Sequence, residues 1–239
     1  MCAPATASKE PVSDNGGRPP PTTSPRGSTM PDVGTKKHVR HRGLTARDLA
    51  LIAIFAALIA AMSVTVAIPL PFSPVPITLQ TLGIMLAPSL LGWKRGTLAV
   101  VAFLALGLAG LPLFAGGRGG LSVLVGPSAG FIVSWVFAAL VIGLLTDLMV
   151  RNGKYRFWQG LLINALGGIV VIYAIGVPWM GVVLGDGVLA TGAAMIAFLP
   201  GDVVKAVVTA LIAATVFRAY PIPPAGRPVS ATTETEKNA

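Results

Sequence analysis

The sequence predicts an all-α, polytopic membrane protein of six transmembrane helices with both termini cytoplasmic, and three observations predict it. Hydrophobic residues make up 54% of the chain and charged residues only 11%, with a mean hydropathy of +0.76, whereas a soluble domain carries about 25% charged residues. The apolar residues fall in several nearly unbroken runs of about 20, the length a helix needs to cross a bilayer. Basic residues crowd onto alternate connections: Lys36 to Arg47, Lys94 with Arg95, Arg151 to Arg156, and Arg218 fall on one side if the segments alternate, and the opposite loops hold only Arg118. The positive-inside rule makes the basic side the cytoplasm.

In order, residues 1–43 are rich in Pro, Gly, Ser, Thr and charge without apolar periodicity, and read as a disordered basic tail rather than a secretory signal. The membrane domain spans 44–220, and 221–239 is a second disordered tail. The net charge of +9 is concentrated in the tails and cytoplasmic turns, so topology accounts for it and a nucleic-acid partner is not called for. The first helix is expected from Thr45 to Ile68, with Ala53, Ala57 and Ala61 forming a small-residue stripe. Such a stripe lets another backbone approach closely, within this bundle or from a partner. Four prolines between Ile68 and Pro76 exclude a helix and predict an extended connection. A short second helix then runs from Gln80 to near Leu91. Gly92 to Gly96 makes a tight basic turn, and the third helix runs from Thr97 to Phe114. A Gly-rich loop reaches Gly126, and it is not a phosphate-binding loop, because no Gly-Lys-Ser/Thr follows. The fourth helix covers Pro127 to Val150 and the fifth Trp158 to Met180. Gly181 to Leu199 is expected as a loop with a short helical piece over Gly192 to Phe198. The sixth helix starts at Pro200.

Cys2 is the only cysteine, and His38 and His41 are the only histidines. Metal sites built on His and Cys, and the common nucleophile-base pairs, are excluded by count; no enzyme, metal or cofactor is expected. The chemistry centres on Pro200-Gly-Asp-Val-Val-Lys205. Asp202 and Lys205, three apart, lie on one helical face. Ionisable groups at membrane depth cost about 2.5–3.5 kcal/mol each on insertion scales and face a bundle interior or a cavity. Two readings stay open, a self-neutralising helix lock and a ligand site.

Five stretches in order resemble one family: Pro71-Phe-Ser-Pro-Val-Pro-Ile-Thr-Leu-Gln80, Gly107-Leu-Ala-Gly-Leu-Pro-Leu-Phe-Ala-Gly-Gly117, Gly126-Pro-Ser-Ala-Gly130, Tyr173-Ala-Ile-Gly-Val-Pro-Trp179 and Phe198-Leu-Pro-Gly-Asp-Val-Val-Lys205. The chain is similar to BioY proteins, the biotin-specific substrate-binding (S) components of energy-coupling factor (ECF) transporters. The resemblance covers about Thr45 to Arg218. It implies a six-helix protein of the cell membrane that captures biotin from outside, at a site formed by extracellular loops and helices 4–6. It also implies association with a transmembrane coupling subunit and two ATPase subunits, with Ala53, Ala57 and Ala61 contacting the coupling subunit. The family's last-helix Asp and Lys correspond to Asp202 and Lys205. Its usual Gly-Pro-Thr-x-Gly-Tyr departs here to Gly126-Pro127-Ser128-Ala129-Gly130-Phe131, which keeps the first hydroxyl and loses the second.

Biotin's ureido group offers two N–H donors and an acceptor, beside a carboxylate and an apolar thioether ring. Asp202 suits the donors and Lys205 an oxygen, with Gln80, Ser128 and Asn164 as further partners. Tyr173 and Trp179 suit an apolar wall or interfacial anchoring equally. The loop at Gly117 and Arg118 suits a lid with a cation for the carboxylate, or a solvated turn. The competing reading is a stand-alone secondary transporter of a small anionic, vitamin-like solute.

Overall fold

The computed structural model describes residues 44–65, 67–71, 73–152 and 155–219. Both predicted tails lie outside the described residues. Five helical stretches among them are long and apolar enough to cross a membrane: Ala46–Thr65, Gln80–Leu108, Ala129–Arg151, Phe157–Leu184 and Gly187–Ala219. The chain is therefore an all-α membrane protein with one small β-hairpin.

Helix α1 (Ala46–Thr65) starts in a reciprocal cap. Thr45 N donates to Asp48 Oδ2 (2.9 Å) and Asp48 N donates to Thr45 Oγ1 (3.2 Å), satisfying N–H groups that a helix start leaves free. Asp48 also pairs with Arg95, fastening this end of α1 to the next helix. Asp48, Ile52, Ala56, Ile59 and Ser63 form the buried face. Ala53, Ala57 and Ala61 lie on the exposed face, so the small-residue stripe does not belong to the interior of this bundle.

The proline-rich connection forms strands β1 (Ala67–Leu70) and β2 (Ser73–Thr78), antiparallel with Ala67 opposite Thr78 and Ile68 opposite Ile77. A two-stranded hairpin consists only of edges, where proline's missing N–H is tolerated. The first helix consequently ends at Thr65 rather than at the expected Ile68, which belongs to β1.

Helix α2 (Gln80–Leu108) is interrupted at Gly92, whose φ of 76° and ψ of −177° are not helical. A Cβ at Gly96 would run into the Pro88 backbone. Those two residues would stand about 12 Å apart along a straight helix, so the chain folds back at Gly92 into two packed arms. The N–H of Trp93, freed at the start of the second arm, donates to Asp147 Oδ2 at 3.2 Å. The second arm stops at Leu108, short of the expected Phe114, because Gly110 takes φ 112° and Pro112 cannot continue the ladder.

Helix α3 is Ala129–Arg151. Helices α4 (Phe157–Ala165) and α5 (Ile172–Leu184) are joined without a break by a π-helical segment, Leu166–Val171. The expected loop from Gly181 to Leu199 is a correction. Helix α5 runs on to Leu184, and α6 (Gly187–Met195) follows, leading through a 3-10 turn, Ile196–Phe198, into α7 (Leu199–Ala219). Gly185 and Gly187, both at φ 78°, break the path, and α6 buries only Thr191 and Met195. Along α7, Asp202, Lys205, Ala206, Thr209, Ala210 and Ala213 are buried, a stripe at spacings of three and four that points all of them inward. The main core joins Ile59, Ile84, Val100, Phe103, Ile132 and Trp135, with alanines allowing the close helix approach that membrane bundles use.

The folded-back corner sets a stability prediction. A Cβ at Gly143 of α3 would meet the Trp93 backbone, whereas Gly201 faces open space. Gly143→Ala is expected to cost about 1–3 kcal/mol through overpacking. Gly201→Ala should be neutral or stabilise by up to about 1 kcal/mol. Thermal unfolding in detergent reads both.

Candidate functional site

A cavity opens where the starts of α2, α3 and α7, the segment 114–123 and the middle of the α4–α5 rod converge. Its empty space, the open solvent at its mouth included, is about 760 Å³. Gln80, Arg118, Ser128, Tyr173, Asp202 and Lys205 all line it. The structure thus brings together six of the nine ligand candidates read from the sequence.

Asp202 and Lys205 face it from the first turns of α7. Lys205 Nζ lies 3.0 Å from Asp202 Oδ1, and the two residues are only 8% and 9% exposed. Each is also held by a neighbour: the Tyr173 hydroxyl donates to Asp202 Oδ2 at 2.6 Å, and Lys205 donates to Thr81 Oγ1 at 2.8 Å. Pairing makes burial of the two charges tolerable, and the bonds tie α7 to α5 and α2. One arrangement is therefore compatible with both open readings, a helix lock and a ligand site. The ammonium keeps one donor free, and each carboxylate oxygen keeps acceptor capacity. Thr81 escaped the sequence reading; its only signal was its place beside Gln80 at the start of a helix.

The remaining polar lining is unspent. Gln80 Nε2, Ser128 Oγ and Trp135 Nε1 are buried without a hydrogen-bond partner. Buried polar atoms are nearly always satisfied, and these three line one cavity, where a ligand's polar groups or water could reach them. Apolar walls come from Phe114, Val123, Phe131, Ile132, Trp135, Ile172, Met195 and Phe198, residues that hydrophobicity alone could not separate from ordinary core.

Two supports shape these walls. Phe114 and Arg118 close a tight turn, with Phe114 N donating to Arg118 O (2.9 Å) and Gly117 N to Phe114 O (3.0 Å). Gly116 and Gly117 both take the left-handed backbone, at φ 76° and 71°, which glycine adopts at no steric cost. Gly117 thus shapes the turn without lining the cavity. Arg118 reaches the cavity with Nε donating to Ala115 O at 3.1 Å. Phe131 sets its ring edge-on to Tyr173 with centroids 6.4 Å apart, and so props the phenol that donates to Asp202. The π-helical segment places Gly168 in the cavity wall, against Met85; such one-turn widenings recur at functional sites.

Asn164 and Trp179 do not line the cavity. Asn164 is wholly buried between helices: it accepts from Ser89 Oγ at 3.0 Å and donates to Gly160 O at 2.8 Å. Trp179 is 45% exposed, packs on Gly130 and donates to Gly126 O at 3.2 Å. That bond ties α5 to the loop before α3.

The chain is similar to known proteins over its membrane domain. A family model described as the BioY family matches residues 35–222. The chain is 45% identical over 185 residues to the biotin transporter BioY of Rhizobium etli, covering 76% of this chain and 99% of that one. It is also 45% identical over 184 residues to the biotin transporter BioY of Rhodobacter capsulatus, covering 73% and 95%. Among solved structures, the S component for biotin from an ECF-type ABC transporter superposes with a TM-score of 0.68 at 36% identity, over 72% of this chain and 91% of that one.

Asn164 separates structure from binding. Asn164→Ala strands Ser89 Oγ in the interior and should lower stability by about 1–3 kcal/mol while leaving biotin affinity unchanged. Thermal unfolding and equilibrium binding on one preparation check this; lost affinity at wild-type stability would return Asn164 to the site.

Proposed function

The chain belongs to the BioY family, a family of transport components and not of enzymes, and from that premise we propose that it captures biotin for uptake in the cavity around Asp202 and Lys205. The observation that carries this reading is the buried ion pair, which keeps a free donor and free acceptor capacity toward a cavity of otherwise apolar walls and unspent polar atoms. A ureido group matches that pair, giving two N–H groups to a carboxylate and accepting at oxygen from an ammonium. The thioether ring and aliphatic tail match the aromatic and aliphatic walls. Arg118, on the loop, meets the ligand carboxylate.

The chain is further proposed to cross the cell membrane six times with both termini cytoplasmic. The reversal at Gly92 supports this count, since it divides Gln80–Leu108 into two arms and so turns the five candidate spans into six crossings. The ligand cavity then opens to the outside, and the basic turns at Arg95 and Arg156 face the cytoplasm. Delivery inward falls to an ATP-driven ECF module of a transmembrane coupling subunit and two ATPase subunits, as the S component of such a transporter requires. The exposed Ala53, Ala57 and Ala61 stripe is the proposed docking surface, because small residues let a partner helix come close.

Equilibrium binding of biotin to the purified protein tests the core of this reading. Removing either Asp202 or Lys205 strands the other charge and its hydrogen-bond partners. Asp202→Asn or Lys205→Met should cost about 2–5 kcal/mol in binding, an affinity loss of at least about thirtyfold. The double variant removes both charges together and should fold without binding. A folded double variant with wild-type affinity would eliminate the site. For the docking surface, Ala57→Trp should block assembly with the coupling subunit and leave biotin binding intact; loss of folding instead would return the stripe to the bundle interior.

A further inference from the structure

Trp135 lies two turns along α3 from Ser128 and is 7% exposed, lining the cavity. Its ring completes an aromatic cluster with Phe103 and Phe114, centroids 6.4 Å from each, and neither side chain offers an oxygen or nitrogen acceptor. Its Nε1 has no partner, although a buried indole N–H normally finds one. A phenylalanine would fill much of this space without burying a donor. Trp135 lines the cavity, the neighbouring space in which a ligand acceptor could be placed.

We propose that the indole N–H of Trp135 donates a hydrogen bond to the bound ligand and reads a neutral oxygen acceptor, the ureido carbonyl of biotin. This rests on the biotin reading above and adds a specificity-determining residue to it. The acceptor is neutral because of the surroundings: Phe103, Phe114 and Ile132 offer a carboxylate no countercharge, and an unpaired anion there would be heavily penalised. Arg118 supplies the countercharge elsewhere in the wall. The ureido oxygen, the strong neutral acceptor of biotin, has room for two donors, one from Lys205 and one from Trp135.

The test is a two-by-two comparison of wild type and Trp135→Phe against biotin and 2-iminobiotin. At neutral pH the iminobiotin guanidinium offers donors only, so it cannot accept from an indole. Trp135→Phe should weaken biotin about fivefold to tenfold and iminobiotin less than about twofold, so that the affinity ratio between the ligands shrinks. Thermal stability without ligand should not fall, since the variant removes an unsatisfied donor. The wild-type indole N–H proton resonance should move downfield on biotin addition. A packing role alone would weaken both ligands equally and leave their ratio unchanged, which overturns the assignment even if the variant is destabilised. Wild-type protein that fails to bind biotin overturns the functional reading itself, whereas wild type that binds with an unmoved ratio overturns only the role of Trp135.

Discussion

A carboxylate and an ammonium, each almost wholly buried in a membrane bundle, are tolerable only as a pair, and much of the structure around α7 keeps them one. Either charge alone costs several kcal/mol in a low-dielectric interior. The one-turn spacing of Asp202 and Lys205 fixes their separation before any tertiary contact forms. Tyr173 on α5 and Thr81 on α2 then hold the outer sides of the pair. Below it, Ala206, Thr209, Ala210 and Ala213 keep the inner face of α7 narrow, so the helix seats deeply enough to carry its charges inside. The pair is placed as much by the small residues beneath it as by its own partners.

That placement explains why lock and ligand site need not be rivals. A pair that exhausted its hydrogen-bonding capacity on the protein would be a lock and nothing more. This one keeps a donor on Lys205 and lone pairs on Asp202 toward a cavity where Gln80, Ser128 and Trp135 also hold unspent atoms. Asn164 shows the contrast a few ångströms of placement makes. It is a buried amide with the same chemistry as Gln80, yet it is bonded to Ser89 and Gly160 and does not line the cavity.

What was legible in the sequence follows the same division. Membrane helices announce themselves through length and apolarity, and the intramembrane charges through their cost, so the all-α membrane class and the Asp202–Lys205 face could be read directly. Arg118 and Ser128 followed from the resemblance and the loop pattern. Asn164 and Trp179, candidates from the sequence, lie away from the cavity; a polar or aromatic residue in a membrane helix looks the same whether it faces a cavity, another helix or lipid. Thr81, Phe114 and Trp135 were missed for the converse reason: only tertiary packing turns a threonine, a loop phenylalanine and a core-like tryptophan into one wall. The helical piece expected over Gly192 to Phe198 starts earlier, at Gly187; the glycines and Asp186 that open it carry the composition of a loop.

The two faces of α1 complete the logic. Its inward face is pinned at one end by the Asp48–Arg95 pair and filled along its length by Ile52, Ala56 and Ile59, which fixes the rotation of the helix about its own axis. Once that rotation is fixed, Ala53, Ala57 and Ala61 have to face outward. In lipid such a stripe gains nothing over leucine for the isolated chain, since hydrocarbon solvates either equally well. Its advantage appears only when another helix backbone packs against it. The proposed partner surface on α1 is built from residues other than those lining the cavity, so substitutions can probe binding and assembly separately.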